Sequence, residues 1–175
     1  HVKTLPRKDA TRESPLEQFL EGCRYAYDSR AIRSVILLIA IVCLAGAPYT
    51  VLMPVYAAEV LGGGAHTLGF LMTAAGGGAL LGALWLASRR TTSDIGRNIP
   101  MSGAIFGAGL IAFGFSRMLW LSVPVMVVAG MGLMVQIASC NTLLQSIVED
   151  SKRGRVMAFF LMAYFGTMPF GSLAA

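Results

Sequence analysis

Long apolar stretches separated by short charged turns form the main pattern of this sequence. Between Leu68 and Ala87, twenty residues pass without an Asp, Glu, Lys or Arg. Four further uncharged stretches predict spans over residues 34–56, 99–115, 119–144 and 156–175. About 20 helical residues, at 1.5 Å each, cross a hydrocarbon core of about 30 Å. The pattern therefore predicts an all-α integral membrane protein with about five transmembrane helices.

The first part of the chain has a different pattern. Residues 1–13 are polar and of mixed charge, which is typical of a flexible linker. Ser14, Pro15 and Glu17 then form a helix start with a capping box. The apolar residues that follow at helical spacing are Leu16, Phe19, Leu20, Cys23 and Tyr27. We expect an amphipathic helix over residues 14–31, on the membrane surface or against the cytoplasmic side of the protein, and a partial transmembrane bundle over residues 32–175.

Glycines recur at four-residue spacing inside two of the predicted spans. The pairs are Gly78 with Gly82 and Gly103 with Gly107. Small residues at this spacing let two helix backbones approach closely in a bilayer. We expect these four glycines to pack against other helices.

Composition and charge support membrane insertion. The chain is 55% hydrophobic and 13% charged, whereas a soluble domain carries about 25% charged residues. Its net charge of +5 does not indicate a nucleic-acid partner, because the basic residues lie between apolar stretches. If the N-terminus is cytoplasmic, 13 of the 14 basic residues lie inside and only Arg117 lies outside. That distribution predicts the lipid bilayer as partner and a cytoplasmic N-terminus.

The spans contain no set of residues for catalysis or metal binding. The two histidines, His1 and His66, fall outside the predicted spans, and no span contains an Asp or Glu. The three cysteines lack metal-site spacing. We therefore expect no enzyme activity, no metal and no cofactor.

Neutral polar residues are the remaining candidates for contact with a solute. They are Gln136, Asn141, Gln145, Tyr49, Thr50 and Thr73. Such residues either line a solute path or hydrogen-bond between helices, and the sequence leaves both open.

The two charged turns on the cytoplasmic side are candidates for a gate. Their residues are Arg89, Arg90, Asp94, Arg97, Asp150, Arg153 and Arg155. Ion pairs at that face would hold one conformation closed and break in another. The alternative is that the arginines only anchor the topology.

Several motifs resemble the major facilitator superfamily. Gly78-Ala79-Leu80-Leu81-Gly82, with Arg89-Arg90 and Gly96-Arg97 after it, resembles the degenerate copy of the loop motif between helices eight and nine. Leu86 stands where that motif has its acidic residue, and Asp94 comes later. The stretch from Asn141 through Arg153-Gly154-Arg155-Val156-Met157 to Pro169-Phe170-Gly171 resembles the tenth-to-eleventh helix region of the enterobactin exporter-like branch.

The resemblance implies a fold and a function. The chain would be a fragment, helices 7–11 of 12, and its partner would be the N-terminal six-helix half of the same protein. The function implied is a secondary transporter of the bacterial inner membrane that exports small molecules, siderophores or drug-like solutes, by alternating access, with protons as a coupling ion. A membrane-embedded scaffold or assembly protein that uses small-residue helix faces is the alternative, and a membrane enzyme ranks third.

Overall fold

The computed structural model describes residues 15–89, 95–166 and 169–170, and these residues are helical apart from short turns. The helices are α1 Pro15–Asp28, α2 Arg30–Val55 with a π-helical turn Tyr56–Val60 at its end, α3 Ala65–Ser88, α4 Ile95–Phe115, α5 Leu119–Ile147 and α6 Asp150–Gly166. The described residues contain no strand. The all-α fold class predicted from the sequence is confirmed, whereas the predicted linker 1–13 lies outside the described residues.

Among the described residues, four helices are long and apolar enough to cross a membrane: residues 30–60, α3, α4 and α5. The helices extend a few residues past the predicted spans, because hydropathy marks only the part in hydrocarbon and backbone hydrogen bonding continues beyond it. The fifth span stays a prediction. Its described part, α6, has 17 residues and begins with charged residues, and residues 171–175 lie outside the description.

The first two helices are separated by a cap that the sequence reading missed. Ser29 has extended backbone angles, and its hydroxyl accepts a hydrogen bond from the Ile32 amide at 3.5 Å. A serine in this position satisfies an otherwise unpaired amide at a helix start. The amphipathic helix therefore ends at Asp28 and not at residue 31, and α2 begins at Arg30.

Helix α5 lies between α3 and α4, and these two interfaces are the most extensive in the chain. On one side, a Cβ added to Gly130 would stand 2.1 Å from the Ala75 carbonyl oxygen of α3. On the other side, a Cβ on Gly132 would stand 2.9 Å from the Phe106 amide nitrogen of α4. Two residues of helix turn through about 200°, so these glycines admit a neighbouring backbone on opposite faces of α5.

Helices α1, α2 and α6 form a second, less extensively packed group. Where this group meets α4 and α5, one apolar cluster includes Ile32, Ile99, Leu144 and Val156. We call this the basic end, because α3 ends there at Ser88 and α6 begins there with charged residues. A second cluster around Met53, Leu71 and Phe113 fills the other end of the bundle.

Candidate functional site

A cavity of about 310 Å³ lies where five helices meet. Each of α2 to α6 contributes to its wall, and α5 contributes the largest share. Its lining includes Tyr49, Ala75, Ala79, Phe106, Met134 and Tyr164. A concave, mostly apolar space at the meeting of several elements is the usual form of a small-molecule site.

The cavity exists because α3 turns its small residues toward it. Ala75, Gly76 and Ala79 line the wall, and a Cβ added to Gly76 would meet nothing within 4 Å. A helix of larger residues at these positions would fill the space. The neighbouring face of α3, which carries Gly78, packs against α5 and leaves no such space.

Two tyrosines are the residues of the described lining that carry a polar side-chain group. Tyr49 comes from α2 and packs edge-on against Phe113, with ring centroids 6.1 Å apart. Tyr164 comes from α6 and packs edge-on against Phe165 at 4.8 Å. No charged residue is among the described residues of the lining. The wall therefore suits the apolar or aromatic part of a solute, with two phenol hydroxyls available to fix its orientation.

Of the six neutral polar candidates from the sequence, Tyr49 lines this cavity. Tyr164 was missed, since it is an aromatic residue within an apolar run and only the packing of α6 against α2 brings it to the wall. The feature of the sequence that could have identified Tyr164 is its phenol hydroxyl within an uncharged span.

Gln136 lies instead inside the α4–α5 interface. It has no exposed surface, and its Oε1 accepts a hydrogen bond from Ser102 Oγ at 2.8 Å. The position of a Cβ on Gly103 would be 3.2 Å from the same oxygen. The absence of a side chain at Gly103 thus leaves room for the Gln136 amide. This geometry fits the bridging alternative that the sequence left open.

The other polar candidates lie away from the cavity lining. Thr50 and Thr73 are exposed, and Thr50 Oγ1 donates to the Ala47 carbonyl at 2.8 Å. Gln145 Nε2 donates to Asn141 Oδ1 at 2.7 Å, one helical turn away on α5. A role for these four in a solute path stays a prediction.

The four glycines singled out from the sequence have different surroundings. A Cβ on Gly78 would stand 1.9 Å from the Val127 carbonyl oxygen, and one on Gly82 would stand 2.8 Å from that of Met131. Both therefore admit the α5 backbone. Gly103 faces Gln136, whereas a Cβ on Gly107 would meet nothing within 4 Å among the described residues.

The gate candidates that the structure describes lie along the basic end. Arg153 Nη2 forms an ion pair with Asp150 Oδ1 at 2.5 Å, within the first turn of α6. The Arg89 guanidinium lies over the Trp85 ring at 4.5 Å, and Arg97 is exposed. Arg90 and Asp94 lie outside the described residues.

Arg155 lies beneath α1. The position of a Cβ on Gly22 would be 3.2 Å from Arg155 Cβ and 3.0 Å from a ring carbon of Phe159. The Lys152 ammonium stands 4.6 Å from the centre of the Tyr25 ring. The amphipathic helix is therefore docked on the start of α6, and this contact was not foreseen from the sequence.

At the opposite end, Tyr56 ties α2 to the turn between α4 and α5. Its hydroxyl lies within hydrogen-bond distance of three carbonyl oxygens, of Phe113 at 3.0 Å, Gly114 at 3.3 Å and Ser116. The last carbonyls of a helix lack partners within the helix. Tyr56 supplies a donor there, and it stands in the π-helical turn that follows Pro54.

Comparisons with known proteins agree with this membrane architecture. Residues 2–175 match the family described as transmembrane secretion effector, a major facilitator family. The chain is also 27% identical over 174 residues to a curated protein named staphyloferrin A transporter from Staphylococcus aureus (strain NCTC 8325 / PS 47). That alignment covers 98% of this chain and 42% of the relative, so the chain spans less than half the relative's length. No solved structure matches the chain.

Proposed function

Because the chain belongs to the transmembrane secretion effector family of major facilitator transporters, we propose that it forms one half of a secondary transporter that exports small molecules. The observation that supports this proposal is the 310 Å³ cavity, which opens among five helices of a membrane protein and carries two tyrosines on an apolar wall. Transporters of this kind bind their solute between helix bundles near the middle of the membrane.

The cavity favours an uncharged, partly apolar region of the solute. Phe106, Met134 and two tyrosines offer aromatic and polarisable surfaces, whereas the described lining offers no charged group to a carboxylate or an amine. The relative is named for staphyloferrin A. We therefore propose a siderophore or drug-like solute, whose charged groups are bound by residues outside this cavity.

We propose that the described residues form one wall of a transport pathway. We propose that an N-terminal six-helix half of the same protein supplies the facing wall, that protons are the coupling ion and that the protein lies in a bacterial inner membrane with the basic end toward the cytoplasm. The short turns support this orientation, because Lys and Arg accumulate in cytoplasmic loops.

We propose that the gate at the basic end works through the docking of α1 on α6. The residues that support this role are Arg155, which lies against Gly22, and the Asp150–Arg153 ion pair at the start of α6. An ion pair with both partners substantially exposed contributes little to stability on its own. We therefore propose that the contacts of Gly22 with Arg155 and Phe159 hold α1 against α6.

A scaffold that binds a partner helix through Gly78 and Gly82 requires that face to be accessible. Gly78 and Gly82 are instead occupied by the α5 backbone of the same chain. This packing supports the transporter over the scaffold.

The test is transport by the full-length gene product in proteoliposomes, with export of candidate siderophores and aromatic drugs measured. Ala79→Trp would fill the cavity, and we expect it to abolish export. Ala104→Trp, on an exposed face of α4 away from the cavity, is the matched control and retains export. Tyr49→Phe and Tyr164→Phe keep the rings and remove one hydroxyl each, so they should raise KM more than they lower kcat. Full export by Ala79→Trp would disprove a solute path through this cavity.

A further inference from the structure

A groove runs along α4 and α5 on the side of α5 that faces away from the cavity. It has two parts, of about 250 Å³ and 440 Å³, which share Ile105 and Val128. On α5, groove residues such as Val128 and cavity residues such as Gly130 and Ile137 fall on opposite faces at 100° per residue. The groove is therefore separate from the proposed solute path.

The wall of the groove is apolar along most of its length. The 440 Å³ part, which lies farther from the basic end, is lined by Ala108, Gly109, Ala112 and Pro124 among other uncharged residues. The concavity lies where α4 carries small side chains. Elsewhere the same helix carries large ones, such as Ile111, which is 65% exposed. A shallow apolar channel on a spanning helix pair matches the surface of an acyl chain.

The end of the groove near the basic end has a different chemistry. Trp85 and Asn98 line it there. The Arg89 guanidinium lies over the Trp85 ring at 4.5 Å, and exposed Arg97 precedes Asn98 in the chain. Trp85 thus lines this end of the groove, and the two arginines are neighbours of the lining residues Trp85 and Asn98. Tryptophan and basic residues are typical of the level of lipid headgroups. The charge of the two arginines is complementary to a phosphate.

We propose that this groove binds an anionic phospholipid, with an acyl chain between α4 and α5 and the phosphate held by Arg89 and Arg97. One leaflet contributes about 15 Å of hydrocarbon, half of a core of about 30 Å. Ten helical residues rise about 15 Å. A chain that starts at Asn98 thus reaches Ala108, inside the wider part of the groove, which begins at Ile105.

The experiment is native mass spectrometry of the full-length gene product, titrated with dioleoylphosphatidylglycerol or dioleoylphosphatidylcholine. Arg97→Gln should weaken phosphatidylglycerol binding about fivefold, because one basic residue near an anionic surface contributes about 1 kcal/mol. It should weaken phosphatidylcholine binding less, because the choline cation of that lipid already offsets the phosphate charge. Arg117→Gln, at the opposite end of α4, is the control and should change neither. Ala108→Trp should lower the occupancy of both lipids, and Ile41→Trp, on an exposed face of α2 that does not line the groove, should not.

Each result decides the proposal. Equal binding of the two lipids by the wild-type protein, or equal loss from Arg97→Gln and Arg117→Gln, would overturn the headgroup assignment. If Ala108→Trp retained full lipid occupancy, a helix from elsewhere in the protein or a second copy would cover the groove, and the proposal would be wrong. If Ala108→Trp fails to fold, as judged by gel filtration, the comparison of Arg97→Gln with Arg117→Gln decides the proposal by itself.

Discussion

Replacing Gly78 by alanine tests the packing of α3 on α5 more directly than any other single change. The added Cβ would stand 1.9 Å from the Val127 carbonyl oxygen, 2.7 Å from its carbon and 2.9 Å from its Cα. Ordinary contact begins at about 3.4 Å. All three atoms belong to the backbone of α5, so no side-chain rotation relieves the overlap. The two helices would have to separate by about 1.5 Å at this point.

The separation would affect the whole interface. Gly82 and Gly130 make similarly close approaches, to the carbonyl oxygens of Met131 and Ala75. A gap of about 0.5–1 Å already removes a quarter to a half of the dispersion attraction between two surfaces. Overpacked substitutions cost about 1–3 kcal/mol, and the rigidity of the backbone places this one near the upper value. At about 2–4 °C per kcal/mol, we expect the unfolding midpoint to fall by about 6 °C or more.

The assay is thermal unfolding in detergent, followed with a thiol-reactive fluorophore. Cys43 and Cys140 are free and buried, so the dye reports their exposure. Gly77→Ala is the matched control, because Gly77 is exposed on the same helix and a Cβ there would meet nothing within 4 Å among the described residues. If Gly78→Ala unfolded at the same temperature as Gly77→Ala, the close approach of α3 and α5 would be wrong.

Three further changes test the other contacts. A double-mutant cycle of Ser102→Ala and Gln136→Leu should give a coupling of about 0.6 kcal/mol, typical of hydrogen bonds between membrane helices; a coupling of zero in the unfolding assay would contradict the α4–α5 bridge. Tyr56→Phe should lower the free energy of unfolding by about 1 kcal/mol, because the carbonyls at the end of α4 lose a donor; an unchanged midpoint would refute that cap. Gly22→Leu should release α1 and speed amide hydrogen exchange across it, measured by mass spectrometry, whereas Gly154→Leu, with open space at its Cβ, should not.

The spans could be predicted from the sequence because lipid imposes a simple rule on composition. Every backbone polar group in hydrocarbon must be bonded within its own helix, so uncharged runs of about 20 residues report helices directly. The boundary at Ser29 was missed because no such rule of composition marks it. A cap depends on the backbone angles of one residue, and the apolar pattern of α1 continues past it into α2.

The cavity could be predicted only in part. Tyr49 was identifiable as a polar group in a span, but Gln136 has the same signature and lies buried against Ser102. The face of a helix on which a residue lies follows from its number, whereas the neighbour on that face depends on which helices pack together. The sequence of α5 contains no feature that assigns one face to α4 and the opposite face to α3 before Gly130 and Gly132 are placed in three dimensions.

The packing divides the chain into two groups with the cavity between them. Helices α3, α4 and α5 interlock through glycines that face backbone atoms, and such contacts tolerate little displacement. Helices α2 and α6 contact α5 less extensively than α3 and α4 do. Side chains such as Tyr49 and Tyr164 meet the first group across the cavity. A change of cavity shape that displaced α2 and α6 together from α5 would therefore disturb fewer contacts than one that separated α3 or α4 from α5, and α1 contacts both α2 and α6.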